Sequence, residues 1–134
     1  MTAFDMSAYL ERIGQASVPV TRDGLAELQG AQIRAIPFEN IDVLVGRTPT
    51  LDLDGLFRKT VVQGRGGYCF ELNSLLHQAM LSLGFQVRRS LARVRMGAPA
   101  GGARGHLALP TEIDGRRYLV DAGLQNRVLE TQGG

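Results

Sequence analysis

The amino-acid sequence predicts an α+β fold, an N-terminal helical bundle followed by an antiparallel β-hairpin. Three observations carry this expectation. Apolar residues recur at helical spacing in the first two-thirds of the chain, most regularly at Leu72, Leu75, Leu76, Ala79, Met80 and Leu83. After Gly84 the pattern changes to that of strands. Asp114-Gly115 then separates two apolar stretches, a strong signal for a two-residue hairpin turn. Helices first and strands after segregate the two element types along the chain.

Each element has its own signal. Asp5 or Ser7 can cap a first helix carrying Tyr9, Leu10 and Ile13, and Thr21 a second carrying Leu25, Leu28 and Ile33. Pro37 stops helical structure, because its ring removes a donor and restricts the residue before it. A short helix is predicted around Leu56, Phe57 and Val61, ended by Gly64. Arg65-Gly66-Gly67 forms a tight loop before the strongest helix, which Gly84 terminates. Cys69 therefore falls at or near that helix's N-terminus, on the stripe of Leu72. Phe85 to Arg95 reads as a strand, interrupted near Arg88-Arg89 by a bulge. A Gly/Ala stretch from Gly97 to Gly105 leads to the hairpin arms, His106 to Ile113 and Arg116 to Ala122.

At 134 residues one domain is the default. Hydrophobic residues make up 44% and charged residues 21%, which fits a globular chain and excludes general disorder. The net charge is +2, from fourteen arginines, the single Lys59 and 13 acidic residues, with no basic run dense enough for nucleic acid. No membrane span or signal peptide is visible, and one cysteine excludes an internal disulfide. A reducing, cytoplasmic compartment is the expectation for such a free thiol.

A lone cysteine is most often a small apolar core residue. A helix N-terminus changes that reading, since free N–H groups and a partial positive charge stabilise a thiolate and an oxyanion. A nucleophilic thiol also needs an imidazole. His77 lies eight residues further along the same helix, about 12 Å away at 1.5 Å per residue, and is out of reach. His106 opens the strand after the Gly/Ala loop. If Asp114 and Gly115 form the turn, His106 faces Gly123 and Ala108 faces Asp121. His106 and Asp121 are then diagonal neighbours on one sheet face, about 7–8 Å apart at Cα. Asp121 can hold the imidazole in the tautomer a general base needs. Cys69, His106 and Asp121, on a helix start and a facing hairpin, point to acyl chemistry on a papain-like cysteine core. The acceptor, water or amine, stays open at this point.

Longer motifs narrow the reading. Arg65-Gly66-Gly67-Tyr68-Cys69-Phe70-Glu71-Leu72-Asn73 resembles the nucleophile signature of the arylamine N-acetyltransferases. Ile36-Pro37-Phe38-Glu39-Asn40 resembles a second motif of that family. His106-Leu107, followed by a hairpin to Leu119-Val120-Asp121-Ala122-Gly123, resembles a third. The resemblance implies that acetyl-CoA, the co-substrate, acylates Cys69. An arylamine, hydrazine or arylhydroxylamine then takes the acetyl group, as in xenobiotic metabolism, with no metal. It makes His106 the base and Asp121 the orienting carboxylate. It puts Phe38, Phe70 and Leu124 near the substrate and Gly102, Ala103 and Arg104 near the CoA phosphates. It also makes Glu39 and Arg65 a buried supporting ion pair, and leaves Glu71 and Asn73 to hold the helix and loop.

The family pattern divides the chain into a helical domain, 1–84, carrying the nucleophile, and a truncated β-barrel domain, 85–134, carrying His106 and Asp121. Leu124 stands where the family usually has an aromatic residue, and Gln125 where glycine is common, which bears on amine selectivity. Family members are about twice as long, so the remaining barrel strands and a C-terminal lid are expected to be absent. An unfinished barrel would expose strand edges and favour self-association. A cysteine hydrolase with the same triad and a non-catalytic truncated binding module are the competing readings.

Overall fold

The computed structural model describes residues 4–39, 45–46, 52–93, 104–122 and 128–131, the side chains of 91–93, 104–106 and 129–131 excepted. It is an α+β arrangement, as the sequence predicts. Helix α1 (Met6–Ile13) starts at Asp5, whose carboxylate accepts from the Ala8 N–H, and ends at Gly14 in the left-handed region. Helix α2 (Arg22–Ala35) is capped by the Thr21 hydroxyl and stops before Pro37. The short helix α3 (Leu53–Phe57) passes into a π-helical turn, Arg58–Val62. Helix α4 (Cys69–Leu83) is the longest and closes on Gly84.

The sheet follows. Strand β3 (Arg104–Ile113) is its spine. Strands β1 (Gln86–Val87) and β2 (Ser90–Arg93) pair successively along one edge of β3, all antiparallel. Strand β4 (Arg116–Val120) pairs along its other edge, and β5 (Leu129–Thr131) pairs with β4. Asp114 and Gly115 both take positive φ, the two-residue turn that matches strand twist, and Ile113 faces Arg116 as predicted.

One sequence expectation is corrected. No bulge lies at Arg88-Arg89, because the register of β1 on β3 continues unchanged into β2. That register sets Arg88 opposite Pro110, which accepts the Arg88 N–H but has none to return. The irregularity lies further on, between Ala92 and Arg93.

Helices and sheet share one core that runs across Gly84. Leu25, Leu28, Leu72, Leu75, Leu76 and Met80 pack with Leu109, Ile113, Tyr118 and Val120. Each such buried side chain contributes roughly 1.5–3 kcal/mol before ordering entropy is counted. From Leu109 onward β3 alternates, with Leu109, Thr111 and Ile113 buried, and on β4 Tyr118 and Val120 are buried; Leu109, Ile113, Tyr118 and Val120 feed this core. Among the described residues, no helix is long and apolar enough to cross a membrane.

Candidate active site

The site is assembled where two chain segments meet under the start of α4. Residues 37–39 run beside the loop 64–68, with a parallel bridge between Phe38 and Gly67. The Glu39 N–H donates to the Gly67 carbonyl at 2.9 Å and the Gly67 N–H to the Pro37 carbonyl at 3.2 Å. This approach requires glycine: a Cβ on Gly66 would lie 2.0 Å from the Pro37 oxygen. Arg65 donates to Glu39 at 2.7 Å, and the Gly66 N–H reaches the other carboxylate oxygen at 3.1 Å. Burial pushes the Glu39 carboxyl up, but Arg65 and the Gly66 N–H outweigh it and hold the group below the usual carboxylate range. The expected ion pair is thus formed, but it is only partly buried, with a third of the Arg65 side chain exposed.

The buried ion pair is a different one, which the sequence reading missed. The π-helical turn carries Lys59 inward, where its ammonium donates to both Glu71 oxygens at 3.0 and 2.9 Å. Glu71 also accepts the Tyr68 N–H, closing the first turn of α4. So Glu71 holds the loop, as expected, and Lys59 satisfies its charge.

Cys69 is the first residue of α4 and is half-buried. Burial pushes its thiol up, the N–H groups of Phe70 and Cys69 pull it down, and the Asp121 carboxylate pushes it up again. The balance lies above the ordinary thiol value. The expectation that the helix start makes this sulfur anionic is therefore corrected: the amides act in the expected direction but burial exceeds them.

Asp121 is 4% exposed and lies just past the end of β4. Its N–H donates to Gln29 Oε1 at 3.1 Å, and the Ala122 N–H donates to Asn73 Oδ1 at 2.7 Å. Helix side chains thus take the backbone donors where the ladder stops. The Asn73 amide donates to Asp121 Oδ1 at 2.9 Å and to the Leu107 carbonyl at 2.8 Å. Asn73, one turn after Cys69, therefore joins α4 to Asp121 and to the residue following His106, a wider role than holding the helix.

His106 lies in β3, with its backbone opposite Ala92; its side chain is outside the described residues. The predicted pairings of 106 with 123 and 108 with 121 lie beyond the last described β3–β4 pair, Leu109 with Val120. Phe70 is half-buried, its ring 5.8 Å from that of Tyr68. Phe38 is 57% exposed and is not part of the core formed by the described residues. Arg104 pairs through its backbone with Arg93. Gly102, Ala103 and Leu124 fall outside the described residues, as does the side chain of Arg104. His77 is half-buried, its imidazole pushed below its usual value by burial and then by Arg89. Among the described residues, no group of three or more His, Cys, Asp or Glu could hold a metal ion.

A family model described as N-acetyltransferase matches residues 21–131, which takes in Cys69, His106 and Asp121. This chain belongs to the arylamine N-acetyltransferase family. Arylamine N-acetyltransferase 1 of Homo sapiens is 37% identical over 123 residues, covering 89% of this chain and 42% of the relative. The arylamine N-acetyltransferase / N-hydroxyarylamine O-acetyltransferase of Salmonella typhimurium is 39% identical over 131 residues, 96% of this chain and 46% of the relative. The solved structure of the Salmonella typhimurium arylamine N-acetyltransferase superposes with a TM-score of 0.90 at 38% identity, covering 99% of this chain and 50% of that one. That of Mycobacterium marinum arylamine N-acetyltransferase in complex with CoA gives 0.87 at 36% identity, covering 97% and 52%. The chain thus spans about half the length of the family members it matches.

Proposed function

We propose that this chain carries the acetyl-transferring half-site of an arylamine N-acetyltransferase, moving an acetyl group from acetyl-CoA to an arylamine, hydrazine or arylhydroxylamine. The observation that carries this is the junction at Asn73, which ties the helix bearing Cys69 to a buried carboxylate that acts on its thiol. In this reading Cys69 is the nucleophile, His106 the base and Asp121 the carboxylate that orients it. His106 takes the thiol proton as sulfur attacks the acetyl carbonyl. The N–H groups at the start of α4 stabilise the oxyanion. CoA sulfur leaves with the proton from the imidazolium, giving acetyl-Cys69. An amine then attacks the thioester, its proton passes to His106, and the Cys69 sulfur is released.

Burial pushes the Cys69 thiol up, so the proposed reaction relies on His106 to take the thiol proton. Phe38 and Phe70, with Leu124, are proposed to line the acceptor side, and Gly102, Ala103 and Arg104 to meet the CoA phosphates. The M. marinum complex with CoA supports the choice of donor. We place the nucleophile with residues 1–84 and the base and carboxylate with 85–134, in a cytoplasmic, reducing setting. Copies are expected to self-associate through barrel edges, so sizing chromatography of a stable monomer would count against that part.

The test is intact-mass detection of an acetyl adduct after mixing with acetyl-CoA, and its loss on adding a hydrazine. Cys69→Ala should show no adduct and keep the fold. An adduct of unchanged yield in that variant would remove Cys69 from the mechanism. Acetate release without an amine would mark a hydrolase instead.

A further inference from the structure

Gln29 lies in α2, forty residues before the nucleophile and outside all three sequence motifs. Its helix stripe is apolar at Leu25 and Leu28, and position 29 belongs to the same buried face. Gln29 is 0% exposed. Its Oε1 accepts the Asp121 N–H at 3.1 Å. Its Nε2 is the one buried side-chain nitrogen or oxygen without a hydrogen-bond partner among the described residues. The donor at Asp121 fixes the amide's orientation, since turning it over would set N–H against N–H.

A buried amide with its two donors unmet is a poor choice for stability alone. An apolar side chain of similar length would fill the same space without that penalty. A polar group kept at such a position, with its single bond aimed at a reactive segment, is the pattern of a local rule broken for function. Gln29 and Asn73 grip Asp121 from two helices: Gln29 takes the N–H of residue 121, and Asn73 takes Oδ1 and the N–H of residue 122. Two of these bonds fix the backbone at 121–122 and the third holds one carboxylate oxygen.

We propose that Gln29 is a positioning residue, fixing the backbone of Asp121 so that its carboxylate meets the base of the reaction at one angle. This rests on the triad reading above. It follows that loss of the Gln29 acceptor misaligns the carboxylate and slows the thiol without unfolding the protein.

The experiment is the pH profile of Cys69 alkylation by iodoacetamide, read by mass, in the parent, Gln29→Met and Asp121→Asn, with thermal melting alongside. Gln29→Met removes the unmet donors and leaves the Asp121 N–H without its acceptor, so the two changes offset and melting stays within about 5 °C. Alkylation near pH 7 should fall about tenfold, and by at least as much in Asp121→Asn. A Gln29→Met profile equal to the parent's, with Asp121→Asn slowed, overturns the proposal and leaves the triad standing. Asp121→Asn as fast as the parent, or faster, overturns the triad and this proposal with it. A Gln29→Met that melts far lower with an unmoved profile assigns Gln29 a structural role and also overturns it. If the variant does not fold, amide exchange in the parent decides: an Asp121 N–H exchanging at the rate of an exposed amide overturns the proposal, and a protected one supports it.

Discussion

Replacing Lys59 with methionine tests how the start of α4 is held. The lysine side chain is 9% exposed and that of its partner Glu71 is 1% exposed, with both carboxylate oxygens bonded to the ammonium. Lys59→Met keeps much of the apolar stem and leaves Glu71 a buried charge. Removing one partner of such a pair typically costs 3–5 kcal/mol. Glu71 keeps the Tyr68 N–H, so the lower end, about 3 kcal/mol, applies here. A domain of this size holds about 5–15 kcal/mol in all, so the variant should melt about 10 °C or more below the parent. Adding Glu71→Gln removes the stranded charge yet still offers Tyr68 an acceptor, and should recover stability to within about 1 kcal/mol. Urea unfolding of parent, both singles and the double gives the coupling, expected at about 2 kcal/mol or more. A Lys59→Met variant within about 1 kcal/mol of the parent, or a coupling near zero, would refute a buried pair under the loop.

Two further predictions concern the loop. Gly66→Ala brings a Cβ against the Pro37 carbonyl oxygen, a backbone atom that moves only if the 37–39 segment lifts away; about 1–3 kcal/mol should be lost, and parent-like urea stability would contradict the packing. Glu39 has a folded pKa below its unfolded value, so its contribution is full above the unfolded carboxylate pKa and is lost as pH falls through the folded one. With a partly exposed pair, about 0.5–1 kcal/mol is at stake, so Glu39→Gln should destabilise at pH 7 and be nearly neutral near pH 3; an equal cost at both values would exclude the ion pair as its source.

Much of this was legible from local rules. The caps at Thr21 and Gly84 and the turn at Asp114-Gly115 each answer to the chemistry of one or two residues and stand as read, and of the two candidates for the first cap, Asp5 and Ser7, the structure takes Asp5. What stayed hidden needed partners distant in sequence. Lys59 entered only the charge count, and nothing in its spacing showed that the π-helical turn brings it inward to Glu71, twelve residues on. Gln29 and Gln32 carried a readable signal, polar residues on the buried stripe of α2, but their partners Tyr9, Leu72 and Asp121 could not be named from spacing. The missing bulge at Arg88-Arg89 has the same origin, since a proline on another strand interrupts the ladder.

The thiol shows why the site cannot be reduced to its helix. Two backbone N–H groups at the start of α4 favour the anion, and burial of the sulfur and the charge of Asp121 disfavour it. Had the helix start prevailed, Cys69 would be reactive with the first helical half alone, exposed to adventitious oxidants and alkylators. Because burial and Asp121 outweigh the amides, the proposed reaction draws its base from the sheet. On the proposed triad Asp121 has two effects of opposite sign: its charge directly disfavours the anion, and through His106 it would promote proton removal. The sign of the rate change in Asp121→Asn separates the two, slower for a relayed effect and faster for a direct one. Asn73 joins the helix of Cys69 to the Asp121 carboxylate and to the backbone beside His106, so the proposed reaction depends on that junction.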